Sequence, residues 1–229
     1  MNENKRKVAL VSPTDDHTKE VIQRAIDDDV AQFECFYGED ASAMAVECVR
    51  SGGAALLMKG AVNTDVLLRA ALDKEHGILQ PGRVMTHISV ANIPGWQRPL
   101  IFSDAAVIPH PDILQMDAIV RYTVEAARNL GIATPKVALT NFTEKENPKF
   151  PQTAVYQEIR CRAAEGLYGD VVIGGPMDVK TALDSESGTI KGIDSPVVGN
   201  ADILIFPNIE AGNTFYKTLT LFAHATIAG

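Results

Sequence analysis

Residues 58–77 read Met-Lys-Gly-Ala-Val-Asn-Thr-Asp-Val-Leu-Leu-Arg-Ala-Ala-Leu-Asp-Lys-Glu-His-Gly. An apolar run, Ala54–Met58, stops at Lys59-Gly60, and a helix is expected to open at Asn63-Thr64 with Asp65 in its first turn. That is a strand, a tight turn and a helix N-terminus. Backbone N–H groups at such an end lack intrahelical partners and favour an anion. Lys59 before the turn and Arg69 within the helix add positive charge, so the local chemistry points to phosphate or another oxyanion rather than a metal. A plain alternative stands beside it: most such junctions in α/β proteins bind nothing, and a lysine at a strand end is commonly just solvated. The stretch holds neither a G-x-x-x-x-G-K-[ST] loop nor a G-x-G-x-x-G fingerprint. Gly60 has its own plain reading, a turn needing positive φ.

Outward from this stretch, strand and helix patterns alternate. Strands are expected at Lys7–Ser12, Ala31–Tyr37 and Ala54–Met58, with helices at Asp15–Asp28, Ala41–Arg50 and Asn63–His76. Such arrays build parallel sheets with helices on their faces. The middle changes character: Val84–Ile93 and Leu100–Val107 read as an antiparallel pair joined by Pro94-Gly95-Trp96-Gln97-Arg98-Pro99. A domain boundary is placed near Met85, giving domains 1–84 and 85–229. A long helix then runs over Asp112–Leu130, ended by Gly131. Strands Lys136–Asn141, Val171–Gly174 and Asp202–Pro207 alternate with helices Gln152–Gly166, Asp178–Leu183 and Ala211–Ala225. Asp184–Gly199 reads as a loop, and Pro151-Gln152-Thr153 as a helix-start signal.

Composition narrows the class. The chain has 229 residues, 46% of them apolar, enough for one large or two small domains with a real core. A net charge of −8 argues against nucleic acid as the main partner. Cys35, Cys48 and Cys161 have neither zinc spacing nor the even count of a disulfide framework. The stretch Met1–Lys7 is polar, and no apolar run approaches membrane-spanning length. The expectation is a cytoplasmic protein without membrane contact.

Four segments together resemble the phosphate acetyl/butyryltransferase family, closest to its butyryl branch. They are Met58–Gly77; Met85-Thr86-His87-Ile88-Ser89-Val90 with Phe102-Ser103-Asp104-Ala105-Ala106; Gly174-Gly175-Pro176 with Ala182-Leu183; and Val198–Asn213 with Tyr216-Lys217. The resemblance runs in order from about Lys7 to Gly229. It implies two α/β domains with a cleft between them, similar to the isocitrate and isopropylmalate dehydrogenases. It implies transfer of a short acyl group between coenzyme A and inorganic phosphate, by way of an acyl phosphate. Coenzyme A is then a substrate, no metal and no permanently bound cofactor is used, and a homodimer or larger homo-oligomer is expected. Arg69 matches the family arginine of the pattern L-x-R-x-A-L, which binds the phosphate end of the substrate, and a guanidinium fork suits phosphate oxygens. The same residue reads alternatively as a helix-surface arginine. Lys59, Gly60, Asn63, Thr64, Gly212 and Asn213 are the further candidates for substrate binding, with a simple helix entry as the alternative for the last two. His87 reads as a hydrogen-bonded structural residue, and Asp104 either as part of the site or as a carboxylate capping the next turn.

The sequence also departs from the family. In relatives, further strand and helix follow the position of Gly229, and a serine–arginine pair with an aspartate there activates the thiol. The 229 residues contain no counterpart, so no catalytic residue is assigned. The connection between Tyr37 and Ala54 is shorter than in the family, and no arginine stands near Asp15–Lys19. Apolar surface left uncovered in the first domain is expected to be met by oligomer contacts. Two readings remain: a phosphate acyltransferase, or a catalytically impaired member that binds coenzyme A or acyl phosphate. A hydride-transferring relative of the same fold is disfavoured, since neither a nicotinamide signature nor an aspartate cluster for a divalent cation is present.

Overall fold

The structure is a computed structural model and describes residues 6–229; of the polar stretch Met1–Lys7, residues 1–5 lie outside it. The chain divides into two compact units, Met1–Arg83 and Val84–Gly229.

In the first unit, strands β1 (Arg6–Val11), β2 (Ala31–Phe36) and β3 (Leu56–Lys59) form a parallel sheet in the order β2-β1-β3. The central strand carries the unbroken apolar run Val8–Val11, and all four residues are buried, as a strand covered on both faces requires. Helix α1 (Asp16–Asp27) opens where the Asp15 carboxylate accepts the Thr18 N–H at 2.8 Å. Helix α2 (Ala41–Arg50) turns Ala41, Ala45 and Val46 into the core, and α3 (Thr64–Ala71) adds Leu67 and Ala71. The α3 pattern was expected to reach His76 but ends five residues earlier. There the Asp73 carboxylate accepts the N–H groups of Glu75 and His76, a local bond that competes with helix continuation. Gly60 is not among the residues with positive φ. Its requirement is proximity, because a Cβ there would stand 2.5 Å from the Val11 carbonyl oxygen.

The second unit is a six-stranded mixed sheet built from β4 (Ser89–Asn92), β5 (Leu100–Ser103), β6 (Lys136–Thr140), β7 (Val172–Met177), β8 (Ile203–Ile205) and β9 (Thr226–Ala228). The order is β7-β6-β8-β5-β4-β9; the first four are parallel and the last two antiparallel additions at one flank. Strand alternation separates two cores. Ile101, Val137, Leu139, Ile203 and Ile205 pack with α4 (Ile113–Asn129) and α5 (Gln152–Ala164). Leu100, Phe102, Ala138 and Leu204 pack on the other face, with α6 (Val179–Leu183) and α8 (Ile209–Phe222). There the Phe102 and Phe215 rings meet edge to face at 5.3 Å. Helix α4 has a reciprocal capping box between Asp112 and Gln115.

Three expectations need correction. The strand over Val84–Ile93 shortens to Ser89–Asn92, because Thr86 and the His87 N–H bond the Asp104 carboxylate instead of a neighbouring strand. Asp184–Gly199 is not a plain loop: α7 (Ser185–Lys191) lies within it, capped by Asp184 and ended by the left-handed Gly192. Its small residues hide an apolar stripe but fit close packing, since a Cβ on Gly188 would stand 2.0 Å from a Val198 methyl. Finally, α8 stops at Phe222, and the residues after it form β9.

Candidate functional site

The strand–turn–helix of the first unit has fewer open donors than its sequence suggests. The N–H groups of Gly60 and Ala61 go to the carbonyls of Val11 and Ser12, each at 2.8 Å, and that of Val62 to Gly60 at 2.9 Å. Asn63 caps α3 by accepting the Asp65 N–H at 3.0 Å. The Lys59 ammonium donates to the Gly60 carbonyl at 3.3 Å. What remains for an incoming anion is the backbone of Asn63 and Thr64 and the exposed charge of Lys59. Arg69 lies on the exposed side of α3, without an ionic partner among the described residues. It lines a groove of about 570 Å³ between α2 and α3 together with the carboxylates of Glu39, Asp40, Glu47 and Asp73. Lys59, Gly60, Asn63 and Thr64 do not line that groove.

In the second unit the sequence singled out the end of β5, and there the structure shows a buried acidic side chain in a cradle of donors. Asp104, 3% exposed, accepts from the Thr86 hydroxyl at 2.7 Å and from the N–H groups of His87, Ala106, Val107 and Ile108 at 2.8–3.3 Å. The carboxylate therefore builds the turn after β5. His87 is half-buried, and burial pushes its imidazole below the ordinary value, with the Asp104 charge opposing. Gly212 lets α8 touch this turn, and the Asn213 side chain donates to the Ala105 carbonyl at 3.0 Å. Both residues thus have structural partners in the same unit.

A second cavity of about 570 Å³ opens at the carboxyl ends of β6, β7 and β8, the edge of a parallel sheet where ligands commonly bind. The Thr140 hydroxyl donates to the Ile205 carbonyl at 2.8 Å, and the buried Tyr156 hydroxyl to the Thr140 carbonyl at 3.0 Å, fixing two of those ends. The wall is aromatic, from Phe142, Phe150 and Phe206. A turn over residues 147–153 presents Lys149, Phe150 and Gln152; it is held where Thr153 Oγ1 accepts the Asn147 N–H and donates to the Phe150 carbonyl. The helix-start signal at Pro151-Gln152-Thr153 was legible, but its part in a cavity was not, because β6, β8 and α6 complete the walls from distant sequence.

One rim of this cavity is latched electrostatically. The Lys191 ammonium bridges Asp178, a lining residue, and Glu144 on the loop after β6. Burial alone would raise the Asp178 carboxyl, but Lys191 and the Thr181 N–H outweigh it and hold the group below its ordinary value. Hydrogen bonds to Asp178 and Glu144 raise Lys191. A depressed carboxyl contributes stability above its unfolded pKa of about 3.9 and loses it as pH falls through the folded value. A raised ammonium contributes below about 10.4 and loses it as pH rises through the folded value. The melting temperature lost in Lys191→Ala is therefore expected to be constant between about pH 5 and 9 and to shrink below about pH 4. The latch side chains are about a third exposed, so the effect is modest. A loss unchanged at pH 3 would show that Lys191 does not act through Asp178 and Glu144.

No helix among the described residues is long and apolar enough to cross a membrane. No group of three or more His, Cys, Asp or Glu side chains among them is arranged to hold a metal ion.

Comparison with known proteins places these features in context. The model of the family described as "Phosphate acetyl/butaryl transferase" matches residues 5–229. A phosphate acetyltransferase of Thermotoga maritima is 33% identical over 97% of this chain and 84% of its own. A phosphate butyryltransferase of Clostridium acetobutylicum is 39% identical over 79% of this chain; the alignment spans 60% of that relative's length. Among solved structures, a branched-chain phosphotransacylase from Enterococcus faecalis superposes with a TM-score of 0.81 at 26% identity, covering 97% of this chain and 87% of the other. A phosphotransacetylase from Streptococcus pyogenes gives 0.83 at 20% identity over 99% of this chain and 84% of its own, a likeness of fold.

Proposed function

The chain belongs to the phosphate acetyl/butyryl transferase family, and on that footing we propose that it moves a short acyl group between coenzyme A and inorganic phosphate. The observation that carries the proposal is the family match from residue 5 to residue 229, which takes in both units. In the forward sense a coenzyme A thiolate attacks the carbonyl carbon of an acyl phosphate. A C–S bond forms, the bond from the carbonyl carbon to the bridging oxygen breaks, and phosphate departs with the electron pair, a base having first taken the proton of the thiol. Such a step depends on holding the phosphate in place and on donors aimed at the developing oxyanion. Arg69 and Lys59 are proposed to hold the phosphate end, with the turn through Gly60, Asn63 and Thr64 adjoining Lys59. Gly212 and Asn213 act by fixing the Asp104 turn. Coenzyme A enters as a substrate, the protein works in the cytoplasm, and it assembles as a homodimer or larger.

Thiol release from acetyl-CoA or butyryl-CoA in the presence of phosphate tests the proposal, with the acyl phosphate trapped as its hydroxamate. Phosphate-dependent turnover is expected; folded protein without turnover on either substrate would overturn it. Arg69→Ala is expected to lower kcat/KM for phosphate by about 100-fold, the scale of losing one charged donor from an oxyanion. Arg69→Lys should recover only part, because an ammonium lacks the bidentate fork. An alanine variant within about threefold of the parent would assign the phosphate elsewhere.

A further inference from the structure

Three side chains of the second unit, Trp96, Gln152 and Thr181, hold a buried polar atom without a partner among the described residues, and of these Gln152 lines a cavity. Its Nε2 is buried and has no hydrogen-bond partner among the described residues, although Gln152 lines the cavity at the ends of β6, β7 and β8. A buried donor left unmade is costly, so such groups usually have a partner.

The other polar groups of the cavity show what kind of partner is missing. Thr140 is committed to Ile205, and Asp178 to Lys191 and the Thr181 N–H. Asn208 Oδ1 caps α8 by accepting the Ala211 N–H, and Asn141 Oδ1 takes the Thr143 N–H. What stays open among the described residues is mainly a set of donors, Gln152 Nε2, the side-chain N–H groups of Asn141 and Asn208, and the Lys149 ammonium, with Gln152 Oε1 an acceptor beside them. A ligand that satisfies them brings acceptor oxygens. The remaining wall is apolar. Phe142 and Phe150 meet edge to face at 4.6 Å, with Phe142 69% exposed, so two rings stand uncovered where a ligand would enter. A dry cavity of about 150 Å³ accepts a benzene ring; at about 570 Å³ this one would be left mostly empty by the methyl of an acetyl group.

We infer that this cavity is the acyl-chain site of the proposed reaction: Gln152 Nε2 donates to the acyl carbonyl oxygen, and the Phe142–Phe150 pair covers an acyl chain longer than acetyl. The inference rests on the acyl-transfer reading and adds to it the substrate class and the residues that select it. Asn141, Asn208 and Lys149 face the polar end of the same molecule. The latch from Lys191 to Asp178 and Glu144 keeps the one carboxylate of the lining neutralised, so it does not repel that end.

The test uses the full chain with acetyl-CoA, butyryl-CoA and isovaleryl-CoA. Two quantities are measured on each: kcat/KM at saturating phosphate, and the calorimetric Kd without phosphate. Both are expected to improve on the order of tenfold from acetyl to butyryl, the effect of burying two further methylenes. Phe150→Ala should flatten that ladder to within about threefold, and Phe142→Ala, altering an exposed ring that cannot disturb the core, should flatten it in the same direction. Gln152→Leu keeps the size of the side chain and removes the donor. It should weaken all three acyl-CoAs by about tenfold and leave free coenzyme A unchanged. A flat or acetyl-favouring ladder in the parent, or one that both phenylalanine variants leave intact, overturns the inference even if turnover is fast. A Kd ladder that collapses in the variants without any turnover supports the acyl site and removes the acyl-transfer reading instead.

Discussion

Asp104→Ala will destabilise the second unit by about 4 kcal/mol, enough to unfold a marginal domain. The carboxylate is 3% exposed and accepts five hydrogen bonds, four of them from backbone N–H groups. Alanine leaves all five donors facing a hole. A stranded buried donor costs about 1–3 kcal/mol, and entering water recovers only part of the sum. Asparagine should lie between, because it keeps one acceptor oxygen and replaces the other with a donor that faces donors. The single tryptophan, Trp96, belongs to the second unit, so its fluorescence during urea unfolding reports that unit. A loss below about 1.5 kcal/mol in the alanine variant would mean that the turn does not depend on its carboxylate.

The second large effect approaches the same turn from the helix side. Gly212→Ala puts a Cβ 2.1 Å from the Asp104 carbonyl oxygen and 3.1 Å from the Ala105 Cα. Both neighbours are backbone, so neither can rotate away, and α8 must lift. Overpacking of this kind costs about 1–3 kcal/mol and occasionally more. Alanine returns about 1 kcal/mol through its better helix propensity. At 2.1 Å the clash wins, and a net loss of about 2 kcal/mol is expected in the same urea titration. Lifting α8 also stretches the bond from Asn213 to the Ala105 carbonyl. The two substitutions share one turn, so the double variant should lose less than the sum of the singles. Strict additivity, or a stabilised Gly212→Ala, would show that α8 and the Asp104 turn are independent.

Sequence reading worked where one local rule decides the outcome. The run Val8–Val11 announces a strand buried on both faces, and α2 has the bounds that its alanines and its Ser-Gly-Gly ending indicate. Reading failed where a contact far along the chain overrides local preference. Thr86 and His87 look like strand, yet the Asp104 carboxylate claims their donors. Gly188 looks like a loop residue, yet it is the contact that lets α7 lie against Val198. For the site, Arg69 and Lys59 were visible as charges near a helix start, but the carboxylates around Arg69 come from the approach to α2 (Glu39, Asp40), from α2 itself (Glu47) and from the turn after α3 (Asp73). Gln152 was visible only as a helix start, because its buried donor acquires meaning from Phe206, Asn208 and Asp178. The chemistry itself came from family resemblance; no spacing in the chain spells out acyl transfer.

The antiparallel flank of the large sheet has a consequence for how this protein is made. Strand β4 finds β5 across a short hairpin, but its other partner, β9, is about 130 residues away. Closing that longer loop costs ~2.4 kcal/mol more in chain entropy than closing the hairpin. On the ribosome β4 therefore waits with one edge bare while four more strands and five helices are synthesised, and a nascent chain in that interval is the form that a chaperone or a neighbouring polysome product would capture.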